Sequence, residues 1–298
     1  MARELNVRLK PLLDSLNLAS SNDVTGALTG SYLSTYKGRG LEFGGFRQYN
    51  EMSDDASKID WKATFRAQEV MVREIIEERN MNVYLLLDAS NSMLFASHEK
   101  MKCEFAIELA CTMAFAIVRA GDSVGLSLFT DDITRTIEPA LGQEQYSKIT
   151  NELTKPENFG GPFDLGKALE RIVARFEKER ALLILISDFL GIRGETWKNH
   201  LKNLATNFDV FPIMVKDKHD TTLPDTNQPM VIQDPYSMEQ VTIQPGKIKK
   251  AYERITQRQE QEINATFRRY NIRPLKLYTH KPFVGDLIKH IREKGGMV

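Results

Sequence analysis

The fold class predicted by this sequence is α/β, a mainly parallel sheet flanked by helices, and three observations predict it. Two continuous apolar runs, residues 83–87 and 181–186, read as strands buried on both faces, as the central strands of a parallel sheet do. Helical and strand-like segments alternate from residue 99 onward, the order of crossover units. Each apolar run also ends in acidic and hydroxyl residues: Asp88-Ala89-Ser90-Asn91-Ser92 after the first, Ser187-Asp188 after the second. Ligands of open α/β sheets bind outside the carboxyl ends of the strands where strand order reverses, so Asp88 and Asp188 are expected to meet at one rim.

The elements follow in chain order. Residues 3–17 alternate charge with Leu and Val at helical intervals, but Pro11 and the polar stretch 15–22 predict a short or broken helix. Glycines at 38, 40, 44 and 45 predict loops and short strands over 31–50. The β-branched residues Val70, Val72, Ile75 and Ile76 favour a strand within 69–80. A long helix is predicted over 99–120, stopped by Gly121. Strands at 124–129 and 133–137 are joined by the turn Thr130-Asp131-Asp132. Helices are predicted at 143–154, 165–178 and 195–207, and a strand at 209–215. Pro212 cannot donate to a ladder, which places that strand near an edge or at a bulge. Residues 216–246 read as a β-hairpin insertion, followed by a long polar helix over 247–270, a strand at 275–279 and a last helix at 284–294. The expected organisation is an N-terminal extension, 1–80, packed on a domain spanning 81–298 that carries the insertion.

At 298 residues, 42% hydrophobic and 27% charged, the chain can bury one large core or two modest ones. Forty basic residues balance forty acidic ones, so no global field draws it to nucleic acid or to an anionic membrane. The basic run in 247–273, from Lys247 to Arg273, reads as a solvated helix face or a dock for an acidic partner in preference to a nucleic-acid surface. Cys103 and Cys111 lie eight residues apart on one predicted helix, about 12 Å along its axis, too far for a disulfide; reduced core thiols are expected. The first residues lack the apolar stretch of a signal peptide, and the longest apolar segment, 105–118, is broken by Glu108. A cytoplasmic protein without a membrane span is the expectation.

The chemistry concentrates at residues 88–92. Mg²⁺ takes about six oxygens at roughly 2.0–2.1 Å, so one carboxylate with neutral hydroxyls at alternate positions, Asp88, Ser90 and Ser92, suits it. The bland reading of the same residues is a turn and a helix cap. Residues 161–168 have the glycine and lysine spacing of a phosphate-binding loop, but Ala168 stands where a hydroxyl must hold Mg²⁺, Asp164 would face phosphate, and Phe163 blocks the backbone cradle. A Mg²⁺-dependent hydrolase or phosphate-handling enzyme using Asp88 and Asp188 is the alternative function. Against it, the five histidines show no ligand-like spacing, and no Cys-x-x-Cys or Gly-x-Ser-x-Gly supplies a nucleophile.

Several segments, taken together in order, resemble a known family. These are Phe43-Gly44-Gly45-Phe46-Arg47-Gln48-Tyr49, Asp54-Asp55, Ile59-Asp60-Trp61-Lys62-Ala63, Glu78-Arg79, Leu87 to Met93, Lys102, Gly121 to Leu126, and Ser187-Asp188-Phe189. The family is the bacterial DUF58 group of von Willebrand A-like proteins, usually encoded beside MoxR-type AAA+ ATPases. The resemblance implies a Rossmann-like A domain with a metal-ion-dependent adhesion site, whose three loops bind Mg²⁺ or Mn²⁺ and whose open position takes an acidic side chain from a partner. Carried over, Asp88, Ser90 and Ser92 form the first loop and Asp188 the third. The second loop normally supplies a threonine, and here Phe163 stands in its place, so that either Asp164 or water substitutes or the site is degenerate. Met52-Ser53 likewise replaces the usual Pro-Gly, and Ser57 a usual arginine. The implied role is a non-enzymatic adaptor between a MoxR-type ATPase and a client protein.

Overall fold

The computed structural model describes residues 5–9, 42–50, 54–76, 82–176, 181–192 and 194–295. The helix expected over 3–17 falls mostly outside these residues. Two compact units divide the chain, Tyr32–Asn80 forming the smaller and the remainder the larger.

In the smaller unit, β1 (Glu42–Gln48) pairs antiparallel with β2 (Met71–Ile76), with a register shift between Phe43 and Gly45. Between them lies the helix α1 (Trp61–Ala67), whose first turn is capped by Asp60 accepting from the backbone N–H groups of Lys62 and Ala63, each at 3.0 Å. Asp54 is gripped in bidentate fashion by Arg47 at 2.5 and 2.6 Å. The acids of this stretch are therefore capping and pairing groups.

The larger unit is built on a six-stranded sheet. Its strands are β3 (Asn82–Asp88), β4 (Ser123–Phe129), β5 (Ile133–Ala140), β6 (Ala181–Ser187), β7 (Asp209–Lys216) and, further along the chain, β10 (Leu275–Tyr278). The spatial order is β10-β7-β6-β3-β4-β5, parallel throughout except for the antiparallel edge strand β5. The chain therefore leaves β3 to one side, through β4 and β5, and returns to the other side through β6, β7 and β10. Strand order reverses between β3 and β6, the Rossmann-like arrangement. The apolar runs that announced β3 and β6 are buried at every position from Val83 to Asp88 and from Ala181 to Ser187.

The helices are α2 (Lys102–Arg119), α3 (Gln143–Leu153), α4 (Leu165–Phe176), α5 (Thr196–Asn207), α6 (Pro245–Arg269) and α7 (Val284–Gly295). They match the expected helices closely. One side of the sheet carries the cluster of Tyr84, Leu86, Leu165, Leu169, Trp197 and Phe267, which joins α4, α5 and α6 to the strands. The hairpin β8 (Met230–Gln233) and β9 (Gln240–Ile243) forms a separate two-stranded sheet within the expected insertion.

Helix α2 is buried along most of its length, with both cysteines, neither in a disulfide, inside it. Its buried Glu104 and Glu108 look misplaced until residues 5–9 are considered. The backbone N–H of Asn6 donates to Glu104 at 2.7 Å and that of Arg8 to Glu108 at 2.8 Å. Alternate residues of an extended segment are about 6.6 Å apart, and one i,i+4 step along a helix rises about 6 Å, so the two spacings match.

Pro212 lies where expected, near an edge: β7 is the strand next to the edge strand β10. The ladder to β10 begins only at Ile213, so at Pro212 that side of the strand has no partner that needs an N–H. Gly125 marks a second local constraint: a Cβ there would come within 2.8 Å of the Ile137 carbonyl oxygen, so only glycine lets β5 approach β4 at the register shift.

Candidate functional site at the carboxyl ends of β3 and β6

Asp88 is the last residue of β3, and the register pairs Leu87 with Ile186, which sets Asp88 beside Ser187. The Ser187 hydroxyl donates to Asp88 Oδ2 at 2.5 Å and the Ser90 backbone N–H to Oδ1 at 2.9 Å. Asp188 is turned into the same rim by a tight bend. Ser187 Oγ accepts from the Phe189 N–H and Asp188 Oδ1 from the Leu190 N–H, both at 2.9 Å. Phe189 holds the bend at φ 52°, a left-handed conformation that a bulky residue adopts only when its surroundings impose it. Its buried ring packs edge-on against Phe267 of α6, 5.5 Å between centroids.

Both carboxylates are fully buried, and their environments drive them apart. Burial, reinforced by the charge of Asp188, pushes Asp88 up to about 7. Burial would raise Asp188 too, but the ammonium groups of Lys102 and Lys216 outweigh it and hold Asp188 below the usual carboxylate range. Lys102 reaches Asp188 Oδ2 at 2.7 Å and both oxygens of Asp220 at 3.2 Å, with only 1% of its side chain exposed. Burial opposes its charge, yet the two carboxylates raise it above an ordinary lysine. Lys216 donates to the Asp188 carbonyl oxygen, and burial lowers it. Asp220 is raised, because burial exceeds the help it draws from Lys102. Two ammonium groups thus face Asp188 and Asp220, with Asp88 beside them near its titration point.

Above the acids lie the hydroxyls. Ser90 Oγ and Ser92 Oγ are 3.3 Å apart, and Ser90 Oγ is also 3.3 Å from the Tyr236 hydroxyl at the tip of the β8–β9 hairpin. Asn91, between the serines, exchanges hydrogen bonds with Gly161: its N–H donates to the Gly161 carbonyl at 3.0 Å and its Oδ1 accepts the Gly161 N–H at 2.8 Å. These bonds bring the loop before α4 to the rim. Phe163 of that loop stacks on the Tyr236 ring, centroids 6.4 Å apart and planes 21° apart.

Four of the five residues expected to hold a metal, Asp88, Ser90, Ser92 and Asp188, are therefore brought to one rim. Asp164 is committed elsewhere: its Oδ1 accepts the Lys167 N–H at 3.1 Å, capping α4, and its side chain is 44% exposed. Among the described residues no three Asp, Glu, His or Cys side chains come together in a metal-holding group, so a metal at this rim would take hydroxyl donors. The serine pair fits that need. Cis oxygens of an octahedral Mg²⁺ site stand about 2.9 Å apart, close to the observed 3.3 Å. Asp88 and Asp188 would stand behind them, and Phe163 brings no hydroxyl of its own to the second loop.

Lys102, Lys216, Asp220 and Tyr236 were given no role from sequence. Lys102 carried a readable signal, since it sits one turn before Phe105 and Ala106 on the inner face of an apolar helix. Tyr236 carried none: it meets Ser90 across 146 residues of chain.

The family model described as Protein of unknown function DUF58 matches residues 45–262. The chain belongs to the DUF58 family. An uncharacterized protein of Mycobacterium tuberculosis is 28% identical over 297 residues, covering 97% of this chain and 92% of the relative, and an uncharacterized protein of Mycobacterium bovis matches equally. Among solved structures, the conserved hypothetical protein BatB from Bacteroides thetaiotaomicron is similar at 18% identity and TM-score 0.48, over 73% of this chain and all of that one. A von Willebrand factor type A structure from Catenulispora acidiphila is similar at 15% identity and TM-score 0.36, over 49% of this chain and 35% of that one. Both scores fall below 0.5, so neither likeness transfers a function to this DUF58 chain. Among the described residues no helix is long and apolar enough to cross a membrane.

Proposed function

We propose that this DUF58 protein is a metal-dependent protein-recognition module of von Willebrand A type, in which Ser90 and Ser92 hold Mg²⁺ or Mn²⁺, Asp88 and Asp188 supply the charge behind them, and a partner's Asp or Glu completes the coordination. The observation that carries this reading is the convergence of Asp88, Ser90, Ser92 and Asp188 at the reversal of strand order. Lys102 and Lys216 already offset the charge of Asp188, so a divalent ion finds less negative charge here than two free carboxylates would give. A carboxylate from a partner restores it, which makes metal and partner affinities mutually dependent.

The role is binding without turnover. Each carboxylate is already committed, Asp88 to Ser187 and the Ser90 N–H, Asp188 to Lys102 and the Leu190 N–H, and neither is presented as a base to an incoming water. The energy source is an external MoxR-type AAA+ ATPase, and the protein links that ATPase to a client; the support for this pairing is the family resemblance alone. Capture of the MoxR-type ATPase by immobilised full-length chain in Mg²⁺ tests the reading. Chelation or Asp88→Ala should weaken capture at least tenfold with thermal unfolding still cooperative. Equal capture by the variant, or in chelator, overturns it.

A further inference from the structure

The β8–β9 hairpin behaves geometrically as a ligand of the rim. Its turn is rigid at the tip, where Asp234 Oδ1 accepts the N–H groups of Tyr236 and Ser237, both at 2.8 Å. All three rim loops hold that tip. From the first loop, Ser90 meets the Tyr236 hydroxyl and Asn91 Nδ2 donates to the Pro235 carbonyl at 3.0 Å. From the second, Phe163 stacks on the ring. From the third, the Leu190 carbonyl accepts the phenol at 3.5 Å, and Gly191 gives the ring room, since a Cβ there would stand 2.7 Å from Tyr236 Cε2.

The rest of the hairpin is weakly built. It is a two-stranded sheet of four residue pairs, and Val231, Ile232 and Val241 along it stay exposed. Isolated two-stranded hairpins are marginal in water. A segment fastened at its tip and poorly supported along its strands can leave without disturbing the parallel sheet beneath.

We infer that the hairpin is a resident competitor for the partner site, with Tyr236 standing where the partner's side chain enters. This rests on the reading of the rim as a partner site. The imprint of the hairpin also describes the partner: a tight turn presenting Asp or Glu to Ser90 and Ser92, preceded by a backbone carbonyl for Asn91, and flat enough to lie against Phe163 and Gly191. The rim is closed until such a turn displaces the hairpin.

The test uses the full chain, Mn²⁺ as the probe, and the variants Tyr236→Ala and Asp88→Ala. Tyr236→Ala should bind Mn²⁺ at least tenfold more tightly than the native chain in calorimetry, and amides over 230–243 should exchange with solvent at least tenfold faster. Where the native chain binds Mn²⁺ measurably, equal or weaker binding by Tyr236→Ala makes the phenol a ligand or a bystander and overturns the competitor. Unchanged exchange also overturns it, because Tyr236 then does not hold the hairpin down. Absence of Mn²⁺ binding in native and Tyr236→Ala chains alike defeats the metal-dependent reading of the rim, and the competitor is then decided by the exchange result alone.

Discussion

The rim and the hairpin that covers it meet at the hairpin tip, where Pro235 and Tyr236 touch all three rim loops, yet they are built on opposite principles. Below, Asp88, Lys102, Asp188, Lys216 and Asp220 are buried among strands paired on both sides, and each charge is held by another charge or by backbone. Above, among the described residues, the β8–β9 strands pair only with each other, and apolar side chains stay in water. A charge network inside a close-packed core cannot rearrange cheaply, whereas a lone hairpin can. The site therefore combines a fixed floor with a removable cover.

Lys102→Met should break the floor most severely. It leaves Asp188 and Asp220 buried without their shared cation, a loss of about 3–5 kcal/mol in urea unfolding. A variant within about 1 kcal/mol of native would mean that Lys216 alone balances both acids.

The pH dependence of the floor comes next. Asp88 sits at about 7 in the folded protein against 3.8 for an ordinary aspartate, so between these values the native state binds a proton that the unfolded state has released. Stability is then greatest at the low end of the window and falls as pH rises through it. Asp220, raised by burial, adds the same sign, while Asp188, held low despite burial, opposes it only below 3.8. In chelator, unfolding free energy should decline from pH 4 to 7, and Asp88→Asn should flatten the slope. A native slope that rises over this window would show that Asp88 is ionised throughout.

Gly191→Ala tests the seam between floor and cover. Gly191 has φ 79°, where a side chain costs about 1–2 kcal/mol, and its new methyl would strike the Tyr236 ring. Faster amide exchange confined to the hairpin is the expected readout; equal acceleration across β3 and β6 would mean that cover and floor unfold together. The smallest effect belongs to the exposed hairpin strands. Val241→Thr should shift stability by no more than about 0.5 kcal/mol, checked by the urea midpoint.

Legibility followed the range of the forces. Residues 83–88 and 181–188 were readable as buried strands ending in ligands because burial on both faces leaves an unbroken apolar run, and strand ends fix where the next residues lie. The hairpin was readable from its turn chemistry, Asp234-Pro235-Tyr236-Ser237 between Met230-Val231-Ile232 and Val241-Thr242-Ile243. Its destination was not, because nothing local in residues 230–243 encodes that Tyr236 reaches Ser90. Pro212 shows the same limit: its missing N–H pointed to an unpaired side of a strand, but only the late start of β10 revealed how an interior strand provides one.

By itself the sequence determined the α/β class, the order of its elements and the meeting of Asp88, Ser90, Ser92 and Asp188, since hydrophobic period and strand polarity are properties of short segments. Tertiary structure alone decided that Lys102 and Lys216 neutralise Asp188 and that Tyr236 covers the serines. Those outcomes depend on which side chains meet after the chain has crossed the sheet, and a buried charge or hydroxyl takes whichever partner that packing brings within reach.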